Sequence, residues 1–155
     1  MLIHPVGQAL KVQALIYNTQ PNIVFVDSSG WIALVNNRDS LHDQARQVYL
    51  DKLKSGARLL TTTAVLLEVG NWLSPSNLRT LALDLLDKIE ASSLIEVTYV
   101  DSNLYDAGWE LFLEQSDKDW GVTGCMSFVV MRERRIVEAL SADHHFQQAG
   151  FVKLL

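Results

Sequence analysis

Asn22-Ile23-Val24-Phe25-Val26-Asp27-Ser28-Ser29-Gly30 decides the fold: an apolar run ends on a carboxylate, and small residues lead at once into a helical pattern. A short, near-continuous apolar run reads as a strand buried on both faces, as in parallel sheets. In open α/β sheets, ligands bind outside the carboxyl ends of the strands, so Asp27 stands where a functional group is expected. Towards the other terminus, Arg135-Ile136-Val137-Glu138-Ala139-Leu140-Ser141-Ala142-Asp143 repeats the pattern of strand, small residues and acid before a helix. Two acids so placed suggest one shared acidic pocket, and an acidic pocket suggests a metal.

Working outward, β-type runs fall at 22–27, 57–62, 94–99, 135–141 and 151–154, with helical patterns between them. That alternation predicts an α/β chain: a three-layer α/β/α domain with a central parallel sheet of about five strands. Ser29 to Val35 forms a short helix. Ser40 is expected to cap the next, which carries Ala45, Val48, Tyr49 and Leu53 at three-to-four spacing and stops at Gly56. Further helices are expected over 64–73, 78–91, 101–114 and 122–134, with a polar loop over 115–121.

With 155 residues the chain has the size of one domain, read as an N-terminal extension over 1–20 and a domain over 21–155. A net charge of −5 argues against coating nucleic acid by bulk electrostatics, but bound divalent cations would offset it locally. Cys125 is the single cysteine, so no internal disulfide forms and a reducing compartment is the default. No stretch reaches the ~18–20 apolar residues of a membrane span, and Lys11 interrupts any signal-peptide core. A cytoplasmic protein without a membrane segment is the expectation.

Three acids need explaining. Glu68 sits in Ala64-Val65-Leu66-Leu67-Glu68-Val69-Gly70-Asn71-Trp72, and shares a helical face with Ala64 and Trp72, which read as buried. A buried carboxylate needs a cation or donors, or it neutralises. Its bland reading is a Glu reaching solvent or pairing with an Arg. Asp27 and Asp143 have a bland reading as helix caps. All three nonetheless fall on one edge of a doubly wound sheet, which suits a hard, oxygen-ligated ion such as Mg²⁺ or Mn²⁺. His144 and His145 are adjacent, so on a helix their side chains diverge by about a quarter turn and lack metal-ligand spacing. Cys125 reads as a small buried residue, and Arg132-Glu133-Arg134-Arg135 as a solvated helix end.

Together these residues resemble the PIN-domain nucleases, in particular the VapC-like toxins of toxin–antitoxin pairs, over about Ile23 to Leu155. The resemblance rests on Val26-Asp27-Ser28-Ser29, Thr63 to Val69, Asp117-Lys118-Asp119-Trp120, Ser141 to Phe146 and Ala149-Gly150-Phe151. It implies a metal-dependent ribonuclease that holds Mg²⁺ or Mn²⁺ on four acids, is restrained by a cognate antitoxin, and forms a homodimer. The first, second and last acids would be Asp27, Glu68 and Asp143. At the third, the chain carries Gly124.

That departure has a chemical consequence. Attack on an anionic phosphodiester needs a metal to activate water and shield developing charge, and a missing carboxylate weakens the hold on that metal. Two readings follow: an enzyme in which Asp119, or less directly Asp117, substitutes as ligand, or an impaired module that binds RNA or an antitoxin without cutting. A receiver-type phosphoryl-transfer domain lacks its second early acid and late Lys here, and no Gly-x-Gly-x-x-Gly loop supports dinucleotide binding. An antitoxin helix is expected to use a groove among Trp31, Leu34, Val48 and Tyr49.

Overall fold

The computed structural model describes residues 22–155, so the extension read over 1–20 lies outside the described residues. Five strands form one sheet: β1 (Ile23–Val26), β2 (Arg58–Thr62), β3 (Ile95–Thr98), β4 (Glu138–Leu140) and β5 (Val152–Lys153). Their order is β3-β2-β1-β4-β5, and every neighbouring pair is parallel. Val24, Phe25 and Val26 are all buried although successive strand residues face opposite ways, so both faces of β1 are covered. The α/β/α reading therefore holds.

The described helices are α1 (Ser28–Val35), α2 (His42–Lys54), α3 (Thr63–Trp72), α4 (Arg79–Ala91), α5 (Ser102–Glu114), α6 (Val122–Glu133) and α7 (His145–Gln148). Asp101 caps α5, accepting the Leu104 N–H at 2.8 Å. Gly56, at φ +83, ends α2 in the left-handed turn that glycine adopts without cost. Ser40 does not cap α2; Leu41 occupies that position, and Asp39 Oδ1 instead accepts the Leu41 N–H at 2.8 Å. The Asp39 side chain closes a local turn onto the backbone two residues on, one step earlier than the pattern suggested.

The run expected as a strand from 135 begins pairing only at Glu138, opposite Val24. Arg135 adopts φ 54, and the Ile136 N–H reaches back to the Met131 carbonyl at 2.8 Å while Arg135 N–H bonds Arg132 at 3.2 Å. These are the paired bonds of a Schellman helix end, so the chain is still closing α6 where apolar composition suggested a strand. Arg134 fastens the same end, gripping Glu96 with two bonds of 2.6 and 2.9 Å.

Chain order reverses at β1: β2 and β3 lie on one side, β4 and β5 on the other. This switch point opens a crevice at the carboxyl ends of β1 and β4. The segments carrying Asp27 and Asp143 leave the sheet at that place.

Candidate active site

Gly30 governs how closely those two segments approach. A methyl at Gly30 would stand 2.1 Å from the Leu140 carbonyl oxygen, so only glycine lets α1 lie against the end of β4. The Asp27 N–H then bonds Leu140 O at 3.2 Å. The Ser29 and Ser141 hydroxyls both reach Asp27 Oδ2, at 3.2 and 3.1 Å. Their oxygens in turn accept the Ala142 and Asp143 N–H groups, at 2.9 and 3.0 Å.

Asp27 occupies the cap position of α1 but makes no side-chain cap hydrogen bond. Its carboxylate is therefore not used as a helix cap. It is 6% exposed. Burial raises its pKa above the ordinary carboxylate value; the Ser28 amide and the Ser141 hydroxyl oppose this, while the charges of Glu68 and Asp143 add to it.

Asp27, Glu68, Gly124 and Asp143 line one cavity of about 100 Å³, together with Ser28, Trp120, Gly121, Phe128, His145 and Phe146. That volume holds an ion and a few waters at ~30 Å³ each. Its aromatic side is rigid: Trp120 and Phe146 each meet Phe128 edge-on at 5.0 Å between ring centres, and Trp120 Nε1 donates to Gln148. No Lys or Arg is among the lining residues. Three carboxylates face one another without a protein cation, a donor set that fits a hard divalent ion.

Glu68 does not share a buried face. It is exposed and lines the cavity, and Trp72 one turn later is 46% exposed outside that lining. Gly124, in the first turn of α6, is in the cavity wall as the resemblance implied. Asp119 is exposed and not among the lining residues; Asp117 is exposed and paired with Lys118 at 2.7 Å. Lys118 holds the Asp117 carboxyl below its ordinary range.

The histidines depart from expectation. α7 begins at His145, and His144 at its cap position already has helical backbone, yet both rings turn towards Asp143. The rings lie 4.1 Å apart, with Nδ1 of His145 and His144 at 3.1 and 3.7 Å from Asp143 Oδ1. Ser29, Ser141, Gly30 and His145 were not singled out as site residues; small residues after each strand were the only signal for the first three. Cys125 is buried and burial pushes its thiol pKa up, which suits a packing role. Trp31 is 2% exposed, its Nε1 bonded to Thr61, so it belongs to the core rather than to a docking groove. Leu34, Val48 and Tyr49 pack against that core.

The family described as PIN domain matches residues 24–152. The 23S rRNA-specific endonuclease VapC20 of Mycobacterium tuberculosis is 29% identical over 132 residues, covering 85% of this chain and 98% of that protein. The crystal structure of M. tuberculosis VapC20, described as a sarcin-ricin loop cleaving toxin, superposes with a TM-score of 0.76 at 28% identity, covering 84% of this chain and 97% of that one. VapBC2 from Rickettsia felis, bound to a promoter DNA fragment, shares the fold at a TM-score of 0.62 and 16% identity, over 86% and 97% of the two chains.

Proposed function

Because this chain belongs to the PIN-domain family, we propose that it is a divalent-metal-dependent ribonuclease of the toxin–antitoxin type, attenuated at Gly124. The observation that carries this reading is the single cavity shared by Asp27, Glu68, Asp143 and Gly124. Asp27, Glu68 and Asp143 hold Mg²⁺ or Mn²⁺. The ion, when bound, activates water and offsets the charge of the phosphodiester. Ser29 and Ser141 orient Asp27 and favour its ionised form. Trp120, Phe128 and Phe146 keep one wall of the cavity rigid and apolar.

RNA is the proposed substrate, in keeping with the VapC20 relative, which acts on 23S rRNA. A cognate antitoxin and a second copy of this chain are the proposed protein partners. The cytoplasm is the proposed location; among the described residues no helix is long and apolar enough to cross a membrane. Residues 1–20 are proposed as an extension outside the nuclease domain.

A second reading has its own observation. Gly124 leaves the cavity wall without its fourth acid, and Asp119 is exposed outside the lining. On that reading the chain binds RNA or antitoxin without cutting. Cleavage of a mixed RNA substrate with Mg²⁺ or Mn²⁺ separates the two, using the chain, Gly124→Asp, and Gly124→Asp/Asp27→Asn. Cutting by the chain itself, more slowly than by Gly124→Asp, establishes the attenuated enzyme. Cutting by Gly124→Asp alone, abolished by the added Asp27→Asn, establishes the non-cutting module. No cutting by any form overturns the nuclease reading.

A further inference from the structure

We infer that Asp143, His144 and His145 form a second cation site at the edge of the acidic cavity, selective for first-row transition ions that accept imidazole, with Zn²⁺ as its representative. One potential ligand atom from each of the three side chains lies within 4.8 Å of the other two. Both imidazole Nδ1 atoms face a single carboxylate oxygen, at 3.1 and 3.7 Å. Ligands bound at ~2.1 Å to one ion stand about 3.0 Å apart at right angles and about 3.4 Å apart in a tetrahedron. Small side-chain rotations therefore close the three donors on one centre.

Two imidazoles and one carboxylate are a donor set for Zn²⁺ or Mn²⁺ and a poor one for Mg²⁺ or Ca²⁺, which prefer oxygen. Access is open, since the His144 side chain is 67% exposed and that of Asp143 41%. Remaining coordination positions are left to water. The His145 backbone N–H already fixes Asp143 Oδ1 at 2.9 Å, which orients the carboxylate before any ion arrives. Asp143 also lines the acidic cavity, so it is common to both sites, whereas His144 belongs to the new one alone. The site stands whether or not the chain cuts RNA.

The test is calorimetric titration of the full chain with Zn²⁺ in a non-chelating buffer containing millimolar Mg²⁺, repeated on His144→Gln, His145→Gln and Asp27→Asn. Zn²⁺ affinity is expected to fall about tenfold or more in both histidine variants and to persist in Asp27→Asn. Co²⁺ is expected to give ligand-field absorption that His144→Gln, at an exposed position, weakens without changing the melting temperature. Zn²⁺ affinity equal in His144→Gln and the parent overturns the proposal. So does Zn²⁺ binding that disappears in Asp27→Asn while surviving both histidine substitutions, because the ion then sits among the acids. Loss of Mg²⁺ binding in Asp27→Asn reports separately on the acidic cavity.

Discussion

Ser141 donates its hydroxyl to Asp27 Oδ2 at 3.1 Å across 114 positions of sequence, while its oxygen accepts the Asp143 N–H at 3.0 Å. One small side chain thus couples the acids that close β1 and follow β4. Ser29 mirrors it from α1, bonding Asp27 Oδ2 and the Ala142 N–H. The position of Asp143 relative to Asp27 is set by these hydroxyls.

Ser141→Ala removes a hydrogen bond to a buried charged group, which contributes about 1.5–3 kcal/mol. It also frees the Asp143 amide. Affinity for Mg²⁺ or Mn²⁺ is expected to fall about 10–100-fold, the usual cost of losing a group that orients a ligand. Isothermal titration with Mn²⁺ checks this, and unchanged affinity would show that the hydroxyl does not orient the site.

Asp27→Asn is expected to stabilise the metal-free protein at neutral pH while abolishing metal binding. Burial raises the folded pKa of Asp27 above the ordinary carboxylate value. Below that ordinary value both states are protonated and the residue costs nothing. As pH rises through the window between the ordinary and the raised value, the unfolded chain ionises first and stability declines, and the deficit then persists. In chelator, the melting temperature of Asp27→Asn should approach the parent's near pH 3 and exceed it by a few degrees at pH 7, on the scale of about 2–4 °C per kcal/mol. An excess near pH 3 equal to that at pH 7 would refute the electrostatic cause.

Gly124→Asp has room. A methyl there meets Phe128 only at 3.8 and 4.0 Å, ordinary contact. The new carboxylate lies in the first turn of α6, where negative charge gains about 0.3–1 kcal/mol and replaces a poor helix former. Mn²⁺ should then raise the melting temperature more than in the parent, and RNA cleavage should increase at least about tenfold, in line with the restored hold on the metal. Thermal melts with and without Mn²⁺ test the first expectation separately from activity.

Gly30→Ala is expected to destabilise by about 1–3 kcal/mol or more, because backbone, not a flexible side chain, blocks the added carbon 2.1 Å away. Relief requires α1 to back away from β4, which carries Ser29 off Asp27 and Ala142. Denaturant unfolding measures the first effect, and weakened Mn²⁺ binding in the folded fraction the second. Wild-type stability in this variant would contradict the close approach.

The sequence by itself determined the sheet, the helix order and the edge on which Asp27, Glu68 and Asp143 gather. It could do so because apolar runs, helical periodicity and strand-end acids are local patterns, and a doubly wound topology then leaves little freedom of placement. Gly124 was legible only through the resemblance to PIN-domain nucleases, which places an acid at that position. Only the tertiary structure decided the rest. Glu68 is exposed because the described residues leave its face of α3 uncovered, as the 46% exposure of Trp72 on that face shows. Strand β4 starts late because Arg135 closes a Schellman turn with Met131, a backbone geometry that side-chain polarity does not announce. Trp31 is core because Thr61, thirty positions away, accepts its indole N–H. His144 and His145 meet at Asp143 because both rings turn towards its carboxylate, which side-chain rotation decides and helical spacing does not. Each of these outcomes depends on which distant atoms meet, and a linear pattern carries direction along the chain but no distance through space.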